Sequence, residues 1–172
     1  MEGAPEAIAP PSRAGQPSRR IALVEIAVLP MAILLIDQLT KAWVRAELTL
    51  GQPLSVVGEN VRLLYIHNEG AAFGLSVGRY SSTVFLVLAT IASALVFYLL
   101  LSTPREERLP RLALGLILGG ALGNIVDRVR WDMVVDFIQV GIGGHYWPIF
   151  NVADSAVTVG AILLGITYLF RR

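Results

Sequence analysis

The chain alternates four long apolar stretches with more polar connections. The apolar stretches cover about residues 21–44, 81–102, 112–129 and 152–170. Each is close to the roughly 20 residues that a helix needs to cross the hydrocarbon of a bilayer. The pattern therefore predicts four membrane-spanning helices. The first should bend at Pro30, because proline removes a backbone hydrogen bond from a helix interior.

The connections at about residues 45–80 and 130–150 have the pattern of short strands. Leu54–Tyr65 surrounds the turn-forming residues Gly58–Asn60, which is typical of a β-hairpin. Val134–Val140 is rich in β-branched residues, which favour strands. The expected fold is an all-α membrane bundle of four transmembrane helices with a small β-platform on its outer side.

The composition agrees with a membrane protein of one domain. Hydrophobic residues make up 55% of the 172-residue chain, charged residues make up 16%, and the mean hydropathy is +0.64. The net charge of +1 offers no basic surface to nucleic acid. Residues 1–20 are rich in Pro, Ala, Gly, Ser and Arg and are expected to form a disordered cytoplasmic tail. Residues 21–172 are expected to form a single four-helix transmembrane domain.

The residues present also limit the chemistry. The chain has no cysteine, which excludes disulfides, thiol nucleophiles and thiolate-bound metals. Its two histidines, His67 and His145, do not form a zinc-binding helix motif. A histidine-rich metal site is therefore excluded, a carboxylate-only site is not favoured, and no metal or cofactor is expected.

Basic residues indicate how the helices cross the membrane, because Arg and Lys concentrate on short cytoplasmic segments. Three short segments at one predicted end of the bundle carry Arg13, Arg19, Arg20, Arg105, Arg108, Arg111, Arg171 and Arg172. Both termini are therefore predicted to be cytoplasmic. Trp43, Trp131 and Trp147 would then lie in an interfacial belt on the outer side.

Three aspartates fall at one predicted depth. Asp37, Asp127 and Asp154 each lie 16 or 17 residues from an arginine at the cytoplasmic end of their helix. At about 1.5 Å per residue, this places them about 24–26 Å from that end, close to the outer surface. A carboxylate costs roughly 2.5–3.5 kcal/mol at the bilayer centre. The shared depth of three such groups therefore indicates a function.

Asp127 and Asp154 are expected to act as an acid/base pair. Each follows an asparagine by three residues, in Asn124-Ile-Val-Asp127 and Asn151-Val-Ala-Asp154. Two neighbouring carboxylates share one proton, so that one can take a proton from water while the other polarises a carbonyl. The alternative for Asp154 is a helix N-cap formed with Asn151. The two asparagines could orient these carboxylates, hold a substrate carbonyl or join helices by hydrogen bonds.

Other charged residues have simpler interpretations. Asp37 and Lys41 are four residues apart on one helix and are expected to form an ion pair with a structural or substrate-positioning role. Asp132 and Asp136 fall in the outer connection, where water is expected to solvate them.

Small residues mark two further features. The glycines of Asn68–Gly74 allow close backbone approach to a ligand, and Phe73 in this loop is suited to lipid contact. Gly115, Gly119 and Gly123 recur at four-residue spacing, which predicts close packing between helices.

Five sequence blocks occur in order over about residues 21–170. They are Asp37-Gln-Leu-Thr-Lys41, Asn68-Glu-Gly-Ala-Ala-Phe-Gly74, Gly119-Gly-Ala-Leu-Gly-Asn-Ile-Val-Asp-Arg128, Val134-Val-Asp-Phe137 and Phe150-Asn-Val-Ala-Asp-Ser155. Together they resemble the signature blocks of lipoprotein signal peptidase, also called signal peptidase II. The resemblance implies an aspartic endopeptidase of the bacterial inner membrane. Such an enzyme removes signal peptides from prolipoproteins that carry a diacylglyceryl group on the lipobox cysteine.

By position, the resemblance places the catalytic pair on Asp127 and Asp154, near the periplasmic face. The substrate-binding and supporting residues expected with it are Asp37, Lys41, Asn68, Gly70, Asn124, Arg128 and Asn151. The chain is expected to be a monomer that contacts membrane lipid and lipid-modified prolipoprotein signal peptides, and no nucleic acid.

Two other functions fit parts of the pattern. A small proton-coupled transporter or channel subunit also uses intramembrane carboxylates, as proton relays. Such sites more often lie near the midplane, among internal repeats. A purely structural membrane protein would leave Asp127 unexplained, because negative charge is unfavourable near a helix C-terminus.

Overall fold

Four long helices dominate the computed structural model, which describes residues 24–70 and 80–170. They are α1 (Leu29–Glu47), α2 (Ser81–Ser102), α3 (Arg108–Trp131) and α4 (Val152–Leu169). All four are long and apolar enough to cross a membrane, when the first is counted from Ile26. The prediction of four spanning helices is confirmed, and α3 extends beyond its predicted limits at both ends.

The first spanning segment begins with an irregular turn. Val24–Val28 form a π-helical turn directly before α1, and Pro30 lies in the first turn of α1. Proline cannot donate a backbone hydrogen bond, but the first N–H groups of a regular helix have no partner within that helix in any case. Pro30 thus lies just after a change of helix type, and the bend expected there stays a prediction.

Helix α3 packs against each of the other three helices. Glycines allow this close approach. A Cβ atom at Gly119 would lie 2.8 Å from the carbonyl oxygen of Pro30 in α1, and one at Gly160 of α4 would lie 2.7 Å from the carbonyl oxygen of Ala113 in α3. The predicted packing role of the glycines in α3 is thus confirmed at Gly119.

A four-stranded antiparallel sheet covers one end of the bundle. Its strands follow the order β1 (Pro53–Val57), β2 (Val61–Asn68), β3 (Val134–Ile142) and β4 (His145–Tyr146). The first two form the predicted hairpin, in which Gly58 has a φ of 52°. The strands connect α1 to α2 and α3 to α4, so the sheet lies where α1 and α3 end. We call this the sheet end of the bundle.

A small apolar core fixes the sheet to the helices. Val44 of α1 packs with Tyr65 of β2 and with Val135 and Phe137 of β3. Consecutive residues of a strand point to opposite faces, yet all of Val134–Phe137 are buried. Both faces of this part of β3 are therefore covered.

The predicted tryptophan belt can be compared with the structure, whereas several other predictions concern residues that the structure does not describe. Trp43, Trp131 and Trp147 all belong to segments at the sheet end and are exposed there. The predicted tail at residues 1–20, residues 71–79 with Phe73, and Arg171 and Arg172 lie outside the described residues.

Candidate active site

Asp154 lies in the first turn of α4 and forms part of its N-terminal cap. Its backbone N–H donates to Asn151 Oδ1 (2.9 Å), and its carboxylate Oδ2 accepts from the backbone N–H of Asn151 (3.1 Å). The two residues form a capping box, which confirms the N-cap interpretation of Asn151. The other oxygen, Oδ1, accepts from Asn124 Nδ2 at 2.8 Å. Two donors thus hold the carboxylate at the helix end where negative charge is stabilised.

Asp136 on β3 is a second carboxylate close to Asp154. Its side chain is only 2% exposed. Its Oδ2 accepts from Asn68 Nδ2 (2.9 Å) and its Oδ1 from Asn151 Nδ2 (2.7 Å). Burial, followed by the charge of Asp154, raises the pKa of Asp136 to about 6. The prediction that water solvates Asp136 is wrong, because both faces of β3 are covered here. Asp132 is exposed, as predicted.

Asp136 and Asp154 line the same cavity at the sheet end, with a volume of about 650 Å³. Asn68, Gly70, Arg128 and Ser155 complete its main polar lining. The remaining walls are largely apolar and come from α2, from the segment before α4 and from α4; they are formed by Phe85, Trp147–Phe150 and Val157–Val159. A cavity of this size, with few polar groups among apolar walls, is typical of a ligand-binding site.

Asp127 has a different environment from the predicted one. It is fully buried and is not among the residues that line the cavity. Its Oδ2 pairs with Lys41 Nζ (2.9 Å) and accepts the backbone N–H of Val135 (3.2 Å), while its Oδ1 accepts from Gln38 Nε2 (2.9 Å). Within the described part of the chain, no hydrogen bond joins Asp127 to Asp154. The expected proton-sharing contact between them is therefore not formed.

Asp37 and Lys41 form the predicted ion pair in α1, at 2.8 Å, and both side chains are fully buried. Asp37 Oδ1 also accepts the backbone N–H of Ala153 (3.0 Å) in the first turn of α4. This contact ties α1 to α4 next to Asp154. Gly123 of α3 leaves space for it, because a Cβ atom there would lie 2.6 Å from Asp37 Oδ2.

A line of polar contacts joins this ion pair to the cavity. Lys41 Nζ donates to Asn124 Oδ1 (2.9 Å), and Asn124 Nδ2 donates in turn to Asp154 (2.8 Å). Asn151 Nδ2 also reaches Asn124 Oδ1, at 3.1 Å. The two asparagines therefore both orient the carboxylates and join helices, which are two of the three roles that the sequence left open.

Arg128, Asn68 and Gly70 form a polar edge of the cavity. The Nε atom of Arg128 is buried and has no hydrogen-bond partner among the described residues, and the guanidinium carbon lies 5.7 Å from the centre of the Phe85 ring. The backbone N–H of Gly70 donates to Asn68 Oδ1 (3.0 Å). Gly70 has a φ of 103°, and a Cβ atom there would lie 2.9 Å from atoms of Ser81 and Phe85. This position therefore requires glycine.

The predicted site residues fall into two groups. Asn68, Gly70, Arg128 and Asp154 line the cavity, whereas Asp37, Lys41, Asn124, Asp127 and Asn151 do not. Two residues of the site, Asp136 and Gln38, were missed. A carboxylate between the apolar residues of Val-Val-Asp-Phe is the signal that would have identified Asp136. Over the described ranges, no three His, Asp or Glu side chains are grouped so as to hold a metal ion.

The fold and the cavity define a multi-pass membrane protein with two acidic groups available for chemistry at one end. Residues 29–170 match the family model for signal peptidase (SPase) II. The chain therefore belongs to the signal peptidase II family and is a peptidase. Membership of a peptidase family favours an enzyme over the transporter alternative.

Similar sequences cover most of the chain. A lipoprotein signal peptidase of Xylella fastidiosa (strain 9a5c) is 42% identical over 145 residues, which cover 83% of this chain and 87% of the relative. One of Desulforapulum autotrophicum is 35% identical over 154 residues, covering 88% and 95%. One of Moorella thermoacetica is 39% identical over 137 residues, covering 80% and 87%.

The fold is shared with solved structures. A bacterial membrane enzyme determined by the in meso method at 2.3 Å resolution has a TM-score of 0.76 and 32% identity, covering 84% of this chain and 87% of the other. A second such structure, at 1.9 Å resolution, has a TM-score of 0.76 and 31% identity, covering 86% and 94%.

Proposed function

We propose that the chain is an aspartic endopeptidase of the bacterial inner membrane that removes signal peptides from diacylglyceryl-modified prolipoproteins. The observation that carries the proposal is the cavity that Asp136 and Asp154 line together. The family and the lipoprotein signal peptidases of similar sequence support this class of substrate.

We assign the acid pair to Asp136 and Asp154 and not to Asp127 and Asp154. A catalytic carboxylate must reach the substrate or its attacking water, and Asp127 does not line the cavity. Its negative charge is also compensated by Lys41. Asp136 lines the cavity, is buried beside a second carboxylate, and has a pKa raised to about 6. This is the pattern expected when two acids share one proton.

The different surroundings of the two acids assign their roles. Asp154 accepts the N–H groups of Asn151 and Asn124 at the N-terminus of α4, where negative charge is stabilised. It is the ionised base. Asp136 lies in a strand with 2% exposure, so burial favours its neutral form. It is the proton donor.

With these roles, hydrolysis needs no covalent bond between the enzyme and the substrate. Asp154 takes a proton from water as the water oxygen attacks the peptide carbonyl carbon, while Asp136 gives its proton to the carbonyl oxygen. In the tetrahedral product, Asp136 recovers a proton from one hydroxyl as the carbonyl re-forms. Asp154 gives its proton to the leaving nitrogen as the carbon–nitrogen bond breaks. Both acids return to their starting states.

The walls of the cavity suit an apolar peptide that carries lipid. Val157, Val159 and Phe85 offer apolar contact to the signal peptide and to the acyl chains on the cysteine that follows it. The Nε of Arg128, which has no hydrogen-bond partner among the described residues, is a donor for a substrate carbonyl. Asn68 and Gly70 line the same space and bind the peptide near the bond that is cut. That bond precedes the lipid-modified cysteine.

The proposal includes an orientation in the membrane. Both termini are cytoplasmic and the sheet end is periplasmic, since Arg105, Arg108 and Arg111 lie at the other end, in and beside the connection between α2 and α3. The acid pair then lies near the periplasmic surface, where the cleavage site of a membrane-spanning signal peptide emerges. The enzyme acts as a monomer in contact with membrane lipid and uses no metal or cofactor.

Cleavage of a defined substrate tests the function. The purified chain is reconstituted in lipid vesicles with a prolipoprotein, either modified with diacylglycerol on its cysteine or unmodified. We expect the modified form alone to shift on a gel, and mass spectrometry to find the lipid-modified cysteine at the new N-terminus.

Equal cleavage of both forms, or a cut at another bond, would contradict the proposed specificity. Absence of cleavage together with proton flux in the same vesicles would favour a transporter instead.

A further inference from the structure

Lys41 is the only lysine in the chain, and its side chain is fully buried. It does not line the cavity, so it has no direct access to a bound peptide. Burying an ammonium group is costly unless the charge is paired and hydrogen-bonded. Its position therefore indicates a role that acts through neighbouring side chains.

The three hydrogens of the ammonium group all have acceptors. Lys41 Nζ lies 2.8 Å from Asp37 Oδ2, 2.9 Å from Asp127 Oδ2 and 2.9 Å from Asn124 Oδ1. Gln38 Nε2 bridges the same two carboxylates, at 3.2 Å from Asp37 and 2.9 Å from Asp127. The ammonium is thus held in one place by two negative charges. Its third hydrogen is directed at Asn124.

This contact determines which way the amide of Asn124 faces. An ammonium group only donates hydrogen bonds, so the oxygen of the amide must face Lys41. The nitrogen is then left to donate to Asp154 Oδ1, at 2.8 Å. If the amide turned over, its oxygen would face the negatively charged carboxylate of Asp154.

Asn151 cannot fix this orientation by itself. Its Nδ2 lies near three acceptors, which are Asp136 Oδ1 (2.7 Å), Asn124 Oδ1 (3.1 Å) and the backbone oxygen of Val135 (3.3 Å). An amide nitrogen has two hydrogens for these three acceptors. The contact with Asp136 is the shortest, so Asn124 depends on Lys41 for a reliable donor.

We propose that Lys41 is a positioning residue that fixes the amide of Asn124 and, through it, the carboxylate of Asp154. Asp37 and Asp127 hold Lys41 in place. Asp127 is thereby given a supporting role three contacts away from Asp154, through Lys41 and Asn124. The inference rests on the proposed function, because it assumes that Asp154 is the base.

Kinetics of the reconstituted enzyme with the modified prolipoprotein test this role. In Lys41→Met we expect kcat to fall about 10- to 100-fold, since a small misplacement of a catalytic group costs this much. We expect KM to stay within about twofold, because Lys41 does not touch the cavity. Asn124→Leu should lower kcat similarly, and the double variant K41M/N124L should be no slower than the slower single variant.

Two further variants complete the design. Thr40→Val removes a hydroxyl that, among the described residues, bonds only to backbone oxygens of its own helix, at Ile36 and Asp37, and should leave kcat unchanged. If Lys41→Met does not fold because its two carboxylate partners repel each other, K41M/D127N keeps the charge of the cluster and is compared with D127N alone. The added loss caused by K41M in this pair should again appear in kcat.

The outcomes separate the two proposals. An unchanged kcat in the Lys41 variants, or losses that multiply in K41M/N124L, would overturn the role of Lys41 while the wild type still cleaves its substrate. An inactive wild type would overturn the proposed function itself.

Discussion

Asp136 and Asp154 carry the same functional group but differ in what surrounds it. Asp154 sits in a capping box at the start of an 18-residue helix. Asp136 sits in a strand that is covered on both faces. A helix N-terminus stabilises a carboxylate, whereas burial destabilises it. The proposed roles of Asp154 as base and Asp136 as acid therefore follow from the backbone element that carries each residue.

The pKa of Asp136 predicts how activity changes with pH. Burial and the charge of Asp154 raise this pKa to about 6, so Asp136 is protonated below that pH and loses its proton above it. Because the proposed mechanism uses the protonated form, kcat/KM should fall as pH rises through about 6. A pH profile of cleavage by the reconstituted enzyme measures this limb.

Infrared spectroscopy checks whether Asp136 is the group whose loss of a proton causes this pH dependence. The band of a protonated carboxyl group should titrate in this range and disappear in Asp136→Asn. In Asp154→Asn the pKa of Asp136 should decrease, because one of the two causes that raise it is removed. A band that is unchanged in Asp136→Asn would contradict the assignment.

At the scale of elements, the acid pair depends on how closely the helices approach. Asp37 of α1 reaches the first turn of α4 because Gly123 of α3 has no side chain in the way. The same α3 also supplies Asn124, which contacts Asp154. Three helices thus meet within a few residues of one carboxylate, so a change in the spacing between α1 and α3 should affect it.

Gly123→Ala tests this spacing. The new methyl group would overlap Asp37 Oδ2, which lies 2.6 Å from the position of the Cβ atom. We expect a loss of about 1–3 kcal/mol in stability from overpacking. We also expect a fall of about 10- to 100-fold in kcat from displacement of the first turn of α4. Thermal unfolding and cleavage kinetics measure the two effects.

Gly165→Ala is the matched control, since a Cβ atom at Gly165 meets nothing within 4 Å. Alanine also favours a helix over glycine by about 1 kcal/mol. This variant should unfold at the same or a higher temperature and cleave normally. If Gly123→Ala behaved like Gly165→Ala, close packing at Gly123 would have no part in the site.

The helices and strands could be predicted from the sequence. The direction in which each of their side chains faces could not. Apolar length identified the four helices, and turn residues identified the hairpin. The depth calculation placed Asp127 at the correct end of α3 but gave no rotation about the helix axis. Consecutive residues of a helix differ by about 100° around that axis. Arg128 therefore faces the cavity while Asp127 faces Lys41.

The burial of Asp136 and its place in the site could not be predicted, for a related reason. Its sequence neighbours indicate a strand, but an isolated strand does not show which face the helices will cover. Contacts with Asn68, on the neighbouring strand, and with Asn151, at the start of α4, come from residues 68 and 15 positions away. Only the assembled fold brings these groups together.

At the scale of the whole molecule, one end of the bundle holds the sheet, the cavity and the buried side chains of Asp37, Lys41, Asp127 and Asp136. The opposite end carries the connection between α2 and α3. The two ends of the bundle therefore differ, so the orientation of the enzyme in the membrane matters. The proposed function requires the sheet end to face the periplasm.

Cysteine labelling tests this orientation, because the chain has no cysteine of its own. Glu59 lies in the turn between β1 and β2, and Glu106 lies in the connection between α2 and α3; both are exposed. In cells with an opened outer membrane, an impermeant maleimide should label Glu59→Cys and leave Glu106→Cys unlabelled until the inner membrane is broken. The reverse pattern would contradict the proposed topology.

The pairing of Asp136 with Asp154 is tested most directly by cleavage of the diacylglyceryl-modified prolipoprotein. Three matched variants are compared, which are Asp136→Asn, Asp154→Asn and Asp127→Asn. Each replacement keeps the shape of the side chain and removes its ionisable group. With folding verified by thermal unfolding, we expect no detectable cleavage by the first two variants and reduced but measurable cleavage by the third. Cleavage by folded Asp136→Asn, together with complete loss in folded Asp127→Asn, would contradict the pairing of Asp136 with Asp154.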